Sequence, residues 1–241
     1  MLGLAERGRA KTGIAGLDKI IAGGFTRNSI NVISGGTGAG RSTLGMQFLI
    51  NGAQKFKEPG LFISFDENKR TMTANMKSYG WDLAAMERDK KFVFIEYPPQ
   101  EIEHFLSQEG VIRDLIDAMG IERIVIDSIT PFALQFPNED ERRKGLIKLT
   151  DKLRKWGCTV VIIAEEAEGS HQNTGAVPKT KAGIEMLADS QIHLYNVQVK
   201  GERKRGMEVV KMRGTPHGNK IVPFEIGKNG VTVYPEKKFI D

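Results

Sequence analysis

A glycine-rich segment directly follows an apolar run near the start of the chain. It reads Gly35-Gly36-Thr37-Gly38-Ala39-Gly40-Arg41-Ser42-Thr43 and comes after the run SINVIS at residues 29–34. Glycines let a backbone wrap around an anion with its N–H groups pointing inward, and a helix N-terminus adds partial positive charge. The order of strand, loop and helix therefore predicts a phosphate-binding loop, followed by a helix that begins near Arg41.

One position in this loop departs from the usual pattern. The consensus is G-x-x-x-x-G-K-[ST], and this chain has Arg41 where lysine is expected, followed by Ser42. Arginine keeps the positive charge, but its side chain is longer, planar and forked. Phosphate binding relies mainly on the backbone and the helix dipole, so we expect it to persist. Hydrolysis depends on the placement of charge, so we expect it to be slow or absent.

Carboxylates end two other apolar runs. The run IVIDS at residues 124–128 ends in Asp127 and resembles the Walker B element, whose carboxylate holds Mg²⁺ through water. Asp66 and Glu67 follow the run LFISF, where adjacent carboxylates can orient a water molecule or a metal ion. The alternative for each of these acidic residues is a turn or helix cap, and the upstream phosphate loop favours the nucleotide-site interpretation.

Apolar runs alternate with helical patterns over most of the chain. The predicted strands lie at 29–34, 61–65, 92–96, 124–127 and 159–164, with helical spacing of apolar residues between them. This alternation predicts an α/β fold with a mainly parallel sheet flanked by helices. After Leu187 four short runs, at 192–199, 207–212, 222–226 and 231–234, predict antiparallel hairpins that extend one edge of the sheet. Two polar stretches, 138–144 and 168–181, are predicted loops, and the first can also be a helix start.

Composition limits the class of protein. The chain has 241 residues, a net charge of +5 and 40% hydrophobic residues, which excludes a disordered chain and suits one large domain over residues 1–241. No apolar run has the length of a membrane span, and the N-terminal residues lack the hydrophobic core of a signal peptide. We therefore expect a cytoplasmic protein. The single cysteine, Cys158, lies in an apolar run and is predicted to be buried.

The motifs together resemble the KaiC-like branch of the RecA ATPase superfamily. The matching stretches are TGIAGLD at 12–18, Phe65-Asp66-Glu67, SYGWDL at 78–83, and KMRGTPH at 211–217 followed by Pro223-Phe224. The resemblance covers nearly the whole chain and implies a RecA-like core, and its last motif is the most specific. It implies binding of ATP or ADP with Mg²⁺ and assembly into a ring, most simply a hexamer.

The resemblance also implies roles for individual residues. The nucleotide would be bound by Gly36, Thr37, Gly38, Ala39, Gly40, Arg41, Ser42, Thr43, Tyr79, Lys211, Met212, Arg213, Thr215 and His217. Ser42, Asp127 and Asp66 would hold the metal ion. Glu67, with Asp66, would activate the attacking water. Arg41, Lys211 and Arg213 would take part in catalysis. The residues that would face the nucleotide of the neighbouring subunit are Lys211, Arg213, Thr215 and His217.

Three departures from the family pattern limit what can be carried over. Arg41 replaces the loop lysine, and Asp66 shortens the first carboxylate of a pair that is usually Glu-Glu. The clock proteins of the family have two tandem copies and an autophosphorylated Ser-Thr pair, whereas this chain has one copy and reads Glu185-Met186 at that place. Clock-type autophosphorylation is therefore not expected here.

Two other functions remain as alternatives. The first is a DNA-binding, recombinase-like ATPase that would use Arg142, Arg143, Lys144, Lys179 and Lys181. These cations alternate with acidic residues, and no aromatic side chain accompanies them for base stacking, so nucleic acid is not favoured. The second is a non-hydrolysing accessory protein of a motor, which ranks last because such relatives lack the KMRGTPH motif.

Overall fold

A nine-stranded sheet forms the centre of the molecule. The computed structural model describes residues 8–98, 101, 105, 107–168 and 177–240. The strands within these ranges are β1 (Arg9–Ala10), β2 (Phe25–Thr26), β3 (Ile30–Gly35), β4 (Gly60–Ser64), β5 (Phe92–Glu96), β6 (Arg123–Asp127), β7 (Thr159–Glu165), β8 (Ser190–Val199), β9 (Glu202–Met212), β10 (Val222–Gly227) and β11 (Gly230–Val233). The large sheet has the order β11-β10-β9-β8-β3-β7-β6-β4-β5, and β1 pairs with β2 in a separate ribbon.

Six adjacent strands, from β8 to β5 in that order, run parallel. Their residues are apolar on both faces because helices cover both sides of the sheet. One layer of core residues includes Phe48 and Val125, and the other includes Ile126 and Leu149. Since parallel strands share one direction, their carboxyl ends meet at a single edge of the sheet, where ligands bind in open α/β sheets.

The helices that cover the sheet are α1 (Leu17–Ile20), α2 (Arg41–Asn51), α3 (Lys69–Lys77), α4 (Leu83–Arg88), α5 (Glu109–Met119), α6 (Thr130–Leu134) and α7 (Glu139–Lys155). Helix α2 continues into a π-helical turn, Gly52–Phe56. Within the described ranges, no helix combines the length and the apolar composition that crossing a membrane requires.

The predicted fold class is confirmed, with local differences. All five predicted strands of the parallel part are present, and β8 to β11 extend one edge through antiparallel pairs. Strand β8 itself pairs in parallel with β3, although it was predicted to belong to the antiparallel hairpins. The antiparallel part therefore begins with the pairing of β8 and β9. The stretch at 138–144 is not a loop: Asn138 accepts a hydrogen bond from the Glu141 amide and caps α7. Residues 169–176 of the other predicted loop lie outside the described residues.

Both edge strands of the sheet are short and bonded within their own chain. At the β5 edge, the Phe94 amide donates to the Glu87 carboxylate over 3.2 Å, and Lys69 holds the same carboxylate oxygen at 2.7 Å. At the β11 edge, the Val233 amide donates to the Ala15 carbonyl over 2.9 Å. The open amides of an edge strand are thereby partly covered.

A buried ionic cluster lies at the amino ends of the parallel strands, on the side of the sheet away from their carboxyl ends. Arg123, the first residue of β6, is fully buried and pairs with the buried Glu58, which also pairs with Arg27. The Arg123 guanidinium donates to the Phe48 carbonyl at 2.9 Å and lies 4.5 Å from the centre of the Phe48 ring. A side chain at Gly52 would collide with it, because a Cβ there would lie 2.5 Å from Arg123 Cδ.

Candidate functional site

The loop between β3 and α2 is held in the shape that an anion cradle needs. Gly40, the residue before α2, has a φ of 95°, and a Cβ there would lie 2.4 Å from Ile226 Cδ1. At Gly35 the limit is the approach of the next strand, because a Cβ would lie 2.4 Å from the Leu194 carbonyl oxygen. The two positions therefore require glycine, and α2 begins at Arg41 as the sequence predicts.

Two side chains from the β8–β9 hairpin bind the backbone of this loop. Asn196 donates to the Thr37 carbonyl at 3.3 Å, and Arg205 donates to the Gly38 carbonyl at 3.3 Å through two of its nitrogens. Asn196 and Arg205 are directly opposite each other in the two strands. These contacts attach the backbone of the loop to the hairpin. The sequence analysis missed both residues, because the register that brings them to the loop is a long-range property.

Arg41 lies beside the loop and is anchored to the sheet. Its guanidinium donates to the Ala164 carbonyl near the end of β7 at 2.9 Å. Its positive charge also acts on Asp127, where it favours the ionised carboxylate. Part of the hydrogen-bonding capacity of Arg41 is therefore used by the protein backbone. A lysine at this position has no planar, forked group with which to make the same contact.

The side chains of Ser42 and Asp127 meet below the loop. Asp127 ends β6 and is buried, and the Ser42 hydroxyl in the first turn of α2 lies near enough to its carboxylate to favour the ionised form. Burial raises the pKa of Asp127 from 3.8 to about 6; the Ser42 hydroxyl and Arg41 oppose this rise, and Asp66 and Glu67 add to it. Because burial makes the ionised carboxylate of Asp127 unfavourable, a cation bound beside it would stabilise the negative charge.

The acidic pair after β4 lies next to this carboxylate. The Ser128 hydroxyl donates to Asp66 at 2.6 Å, which joins the end of β4 to the end of β6. Glu67 points towards α3, where Asn75 donates to its carboxylate at 2.8 Å. Burial raises the pKa of Glu67, while the Asn75 hydrogen bond opposes the shift. The structure therefore brings together Ser42, Asp127, Asp66 and Glu67, all of which the sequence nominated.

Residues from β7 and the segment after it form the other wall of the site. A cavity of about 190 Å³ is lined by Gly35, Gly36, Thr37, Arg41, Glu165, Glu166, Ala167, Glu168 and Lys181. Lys181 pairs with Glu165 across 2.8 Å, and Glu166 lies 3.4 Å from the buried His193. Sequence analysis placed Lys181 only among candidate DNA contacts and did not nominate Glu165.

The C-terminal motif is divided between two places. The Lys211 ammonium donates to the Glu185 carbonyl at 2.9 Å, and Arg213 donates to the Met186 carbonyl at 3.2 Å. Both cations thus face the same turn of their own chain, as their spacing predicts. Burial and the neighbouring Arg213 lower the pKa of Lys211, while the Asp189 carboxylate, 3.9 Å from Arg213, opposes the shift.

The other members of that motif point elsewhere. Met212 packs in the core, and the buried Thr215 hydroxyl accepts a hydrogen bond from Arg9 at 2.8 Å. His217 contacts the Gly218 carbonyl at 2.9 Å. Tyr79 lies beyond the end of α3, where it packs against Trp81 with ring centres 5.0 Å apart and the rings tilted by 32°. These four residues do not share the turn that Lys211 and Arg213 contact.

Comparison with known proteins decides the family. A family model described as "ATPase: KaiC" matches residues 10–238. The chain belongs to the KaiC ATPase family. The KaiC-like, RecA-type resemblance is thereby confirmed, and the match covers nearly all of the chain.

Relatives within the KaiC family include proteins of similar length and longer proteins. A UPF0273 protein of Methanocaldococcus jannaschii is 32% identical over 95% of this chain and 97% of its own length. The circadian clock oscillator protein KaiC of Prochlorococcus marinus is 32% identical over 93% of this chain but only 45% of its own length. The crystal structure of a KaiC-like protein from Pyrococcus horikoshii superposes with a TM-score of 0.82, at 34% identity, over 95% of this chain and 100% of that one.

The residues at the site fit the metal ion that this family implies. Among the residues described, no three His, Cys, Asp or Glu side chains converge as a metal site. The Ser42–Asp127 pair instead suits Mg²⁺, which binds through one or two protein groups and takes its remaining ligands from phosphate oxygens and water.

Proposed function

We propose that this KaiC-family chain is a single domain that binds ATP or ADP with Mg²⁺ and works as a nucleotide-dependent switch with slow ATP hydrolysis. The observation that carries this proposal is the Ser42–Asp127 pair at the base of a glycine loop. A hydroxyl, a buried carboxylate and a glycine-rich loop at one helix N-terminus match the needs of a metal-bound polyphosphate.

The proposed roles follow the positions of the side chains. The backbone from Thr37 to Thr43 binds the phosphates, and Tyr79 takes the place near the adenine that the family resemblance implies. Ser42, with Asp127 and Asp66 behind it, holds Mg²⁺, which neutralises charge on the phosphate oxygens. Glu67, whose pKa burial raises, accepts the proton of the attacking water, and Asp66 helps to orient that water.

Slow turnover follows from the loop cation. Arg41 donates to the Ala164 carbonyl, so its charge is shared between the protein backbone and the phosphates. A transition state gains from charge that is fixed where negative charge develops. The contribution of Arg41 is therefore smaller than that of a lysine directed only at the phosphates.

The proposed assembly is a ring, most simply a hexamer, in which Lys211 and Arg213 reach the nucleotide of the adjacent copy. Two cations held close together, one with a pKa lowered by burial, gain from a shared anion. Their carbonyl partners at Glu185 and Met186 are replaceable by phosphate oxygens. Thr215 and His217 would join them after local rearrangement of the turn that follows β9.

Calorimetry with Mg-ATP and Mg-ADP on the purified protein tests the central proposal. We expect saturable binding of both nucleotides, weakened when Mg²⁺ is removed and weakened further by Asp127→Ala. Glu67→Gln should leave binding intact and abolish hydrolysis. Absence of binding at millimolar nucleotide would overturn the proposal.

A further inference from the structure

The cavity beside the phosphate loop contains a cation that the proposed nucleotide site does not yet use. Lys181 lines this cavity together with Gly36, Thr37 and Arg41. Among the described residues that line the cavity, Lys181 is the one lysine. Lysine is a compact, mobile charge that suits phosphate oxygens, and it is the residue type missing from the loop itself.

The sheet order places this cavity next to the terminal phosphate. The loop follows β3, Asp127 ends β6, and β7 lies between those two strands. The end of β7, Glu165, therefore lies between the phosphate loop and the carboxylate assigned to the metal ion. A terminal phosphate that is bound by the loop and bridged to the metal must face this position.

The charges at the end of β7 are arranged as an exchangeable pair. The Lys181 ammonium lies 2.8 Å from the Glu165 carboxylate, and both side chains are more than a third exposed. This partner raises the pKa of Lys181, so the ammonium stays charged, while Arg41 acts on it with the opposite sign. Arg41 itself is bonded to the Ala164 carbonyl, one residue before Glu165.

We propose that Lys181 binds the terminal phosphate of a nucleoside triphosphate, and that its ion pair with Glu165 breaks when it does so. This inference rests on the proposed function, and it assigns to a residue distant in sequence the ammonium that the loop lacks. The exchange needs no covalent step: one carboxylate partner is replaced by a phosphate oxygen. A diphosphate has no group at this position and leaves the Lys181–Glu165 pair in place.

Glu165 then opposes the triphosphate. Its carboxylate competes for Lys181 and repels a phosphate that approaches the same cavity. The protein should therefore distinguish ATP from ADP through two side chains that act with opposite sign. Glu165→Gln is expected to strengthen ATP binding, and Lys181→Ala is expected to weaken it.

The experiment is calorimetry with Mg-ATP and Mg-ADP on the full chain and three variants. Lys181→Ala should lower ATP affinity about tenfold, the usual scale for losing a charged hydrogen bond, and leave ADP affinity within twofold. Lys181→Arg should retain part of the ATP affinity. Lys179→Ala is the matched control, since Lys179 is exposed two residues away and does not line the cavity. Circular dichroism checks that each variant is folded.

A second pair of variants separates direct contact from simple neutralisation of Glu165. In a Glu165→Gln background the carboxylate that pairs with Lys181 is gone, so Lys181→Ala can no longer act by unmasking the charge of Glu165. We expect the selective loss of ATP affinity to persist there. If Lys181→Ala has no effect in that background, Lys181 only offsets Glu165 and the inference fails.

The inference and the proposed function fail in different ways. Wild-type protein that binds neither nucleotide contradicts the proposed function. Wild-type protein that binds both nucleotides, with an ATP-to-ADP affinity ratio unchanged by Lys181→Ala, leaves the proposed function standing and overturns the assignment of Lys181.

Discussion

Asp127 is the residue at which stability and function are most directly opposed. It is buried at the end of β6 with Asp66 and Glu67 nearby, and its pKa is raised to about 6. Because the folded protein holds this proton more tightly than the unfolded chain does, Asp127 favours the folded state below pH 4. That contribution is lost as the pH rises through 6.

The first prediction is that Asp127→Asn stabilises the protein at neutral pH. The expected gain in the free energy of unfolding is at most about 3 kcal/mol at pH 7.5, the equivalent of a shift of about two pKa units. The gain should shrink towards zero near pH 4. Urea unfolding of both proteins across this range measures it, and a difference that does not vary with pH would contradict the raised pKa.

The same titration affects Mg²⁺. A metal ion binds the ionised carboxylate, so protons compete with it below pH 6. We predict that the Mg²⁺-dependent part of nucleotide affinity falls by up to tenfold for each pH unit below about 6, and that Asp127→Asn removes this dependence. Calorimetry at constant nucleotide with varied Mg²⁺ follows it; a pH profile shared by wild type and variant would show that another group titrates.

Arg41 gives a prediction about rate. Lysine at this position lacks the fork that donates to the Ala164 carbonyl, and its charge is free to move to the phosphates. Arg41→Lys is therefore expected to raise the rate of ATP hydrolysis with little change in ATP affinity. Phosphate release at saturating Mg-ATP measures the rate. A brisk wild-type rate that falls in Arg41→Lys would mean that the loop is adapted to arginine.

At the scale of elements, the β8–β9 hairpin supports the phosphate loop. Asn196 and Arg205 donate hydrogen bonds to the carbonyls of Thr37 and Gly38 and so restrain the backbone of the loop. We predict that Arg205→Ala lowers the affinity for both ATP and ADP several-fold, because the loop then has to be ordered on binding. Lys204→Ala, on the adjacent exposed residue, is the control and should bind as wild type does.

The ionic cluster at the other edge of the sheet is an element-scale feature of stability. Glu58 is buried and serves both Arg123 and Arg27. Glu58→Gln leaves the fully buried Arg123 uncompensated, and the expected loss is about 3–5 kcal/mol in the free energy of unfolding. Glu122→Gln is the matched control: it removes an exposed partner of Arg27 and should cost less than about 1 kcal/mol.

The parts of this architecture that sequence predicts are those with local causes. Continuous apolar runs predicted five of the six parallel strands, and glycine spacing predicted the loop between β3 and α2. The ends of β4 and β6 placed Asp66, Glu67 and Asp127 at one edge. Asn196, Arg205 and Lys181 were missed because strand order and register decide their positions. Strand order and register leave no local signal in the sequence.

At the scale of the whole molecule, assembly is the remaining prediction. Lys211 and Arg213 lie close to each other and contact carbonyls at Glu185 and Met186. If the nucleotide is shared between copies, it stabilises their contact, so Mg-ATP should increase the mass measured by light scattering. Lys211→Ala/Arg213→Ala should remain folded and lose this response. A wild type that stays monomeric at saturating ATP, with unchanged affinity in the double variant, would contradict shared binding.

The two ends of the large sheet bear on how copies can meet. An exposed strand edge invites another chain to continue the ladder, which leads to open-ended aggregates. Here β5 and β11 have five and four residues, and Glu87 and Ala15 occupy the Phe94 and Val233 amides. Backbone pairing between copies is thus discouraged at both edges. In the proposed ring, contacts between copies would therefore be made by side chains, whose chemistry can specify a closed number of partners.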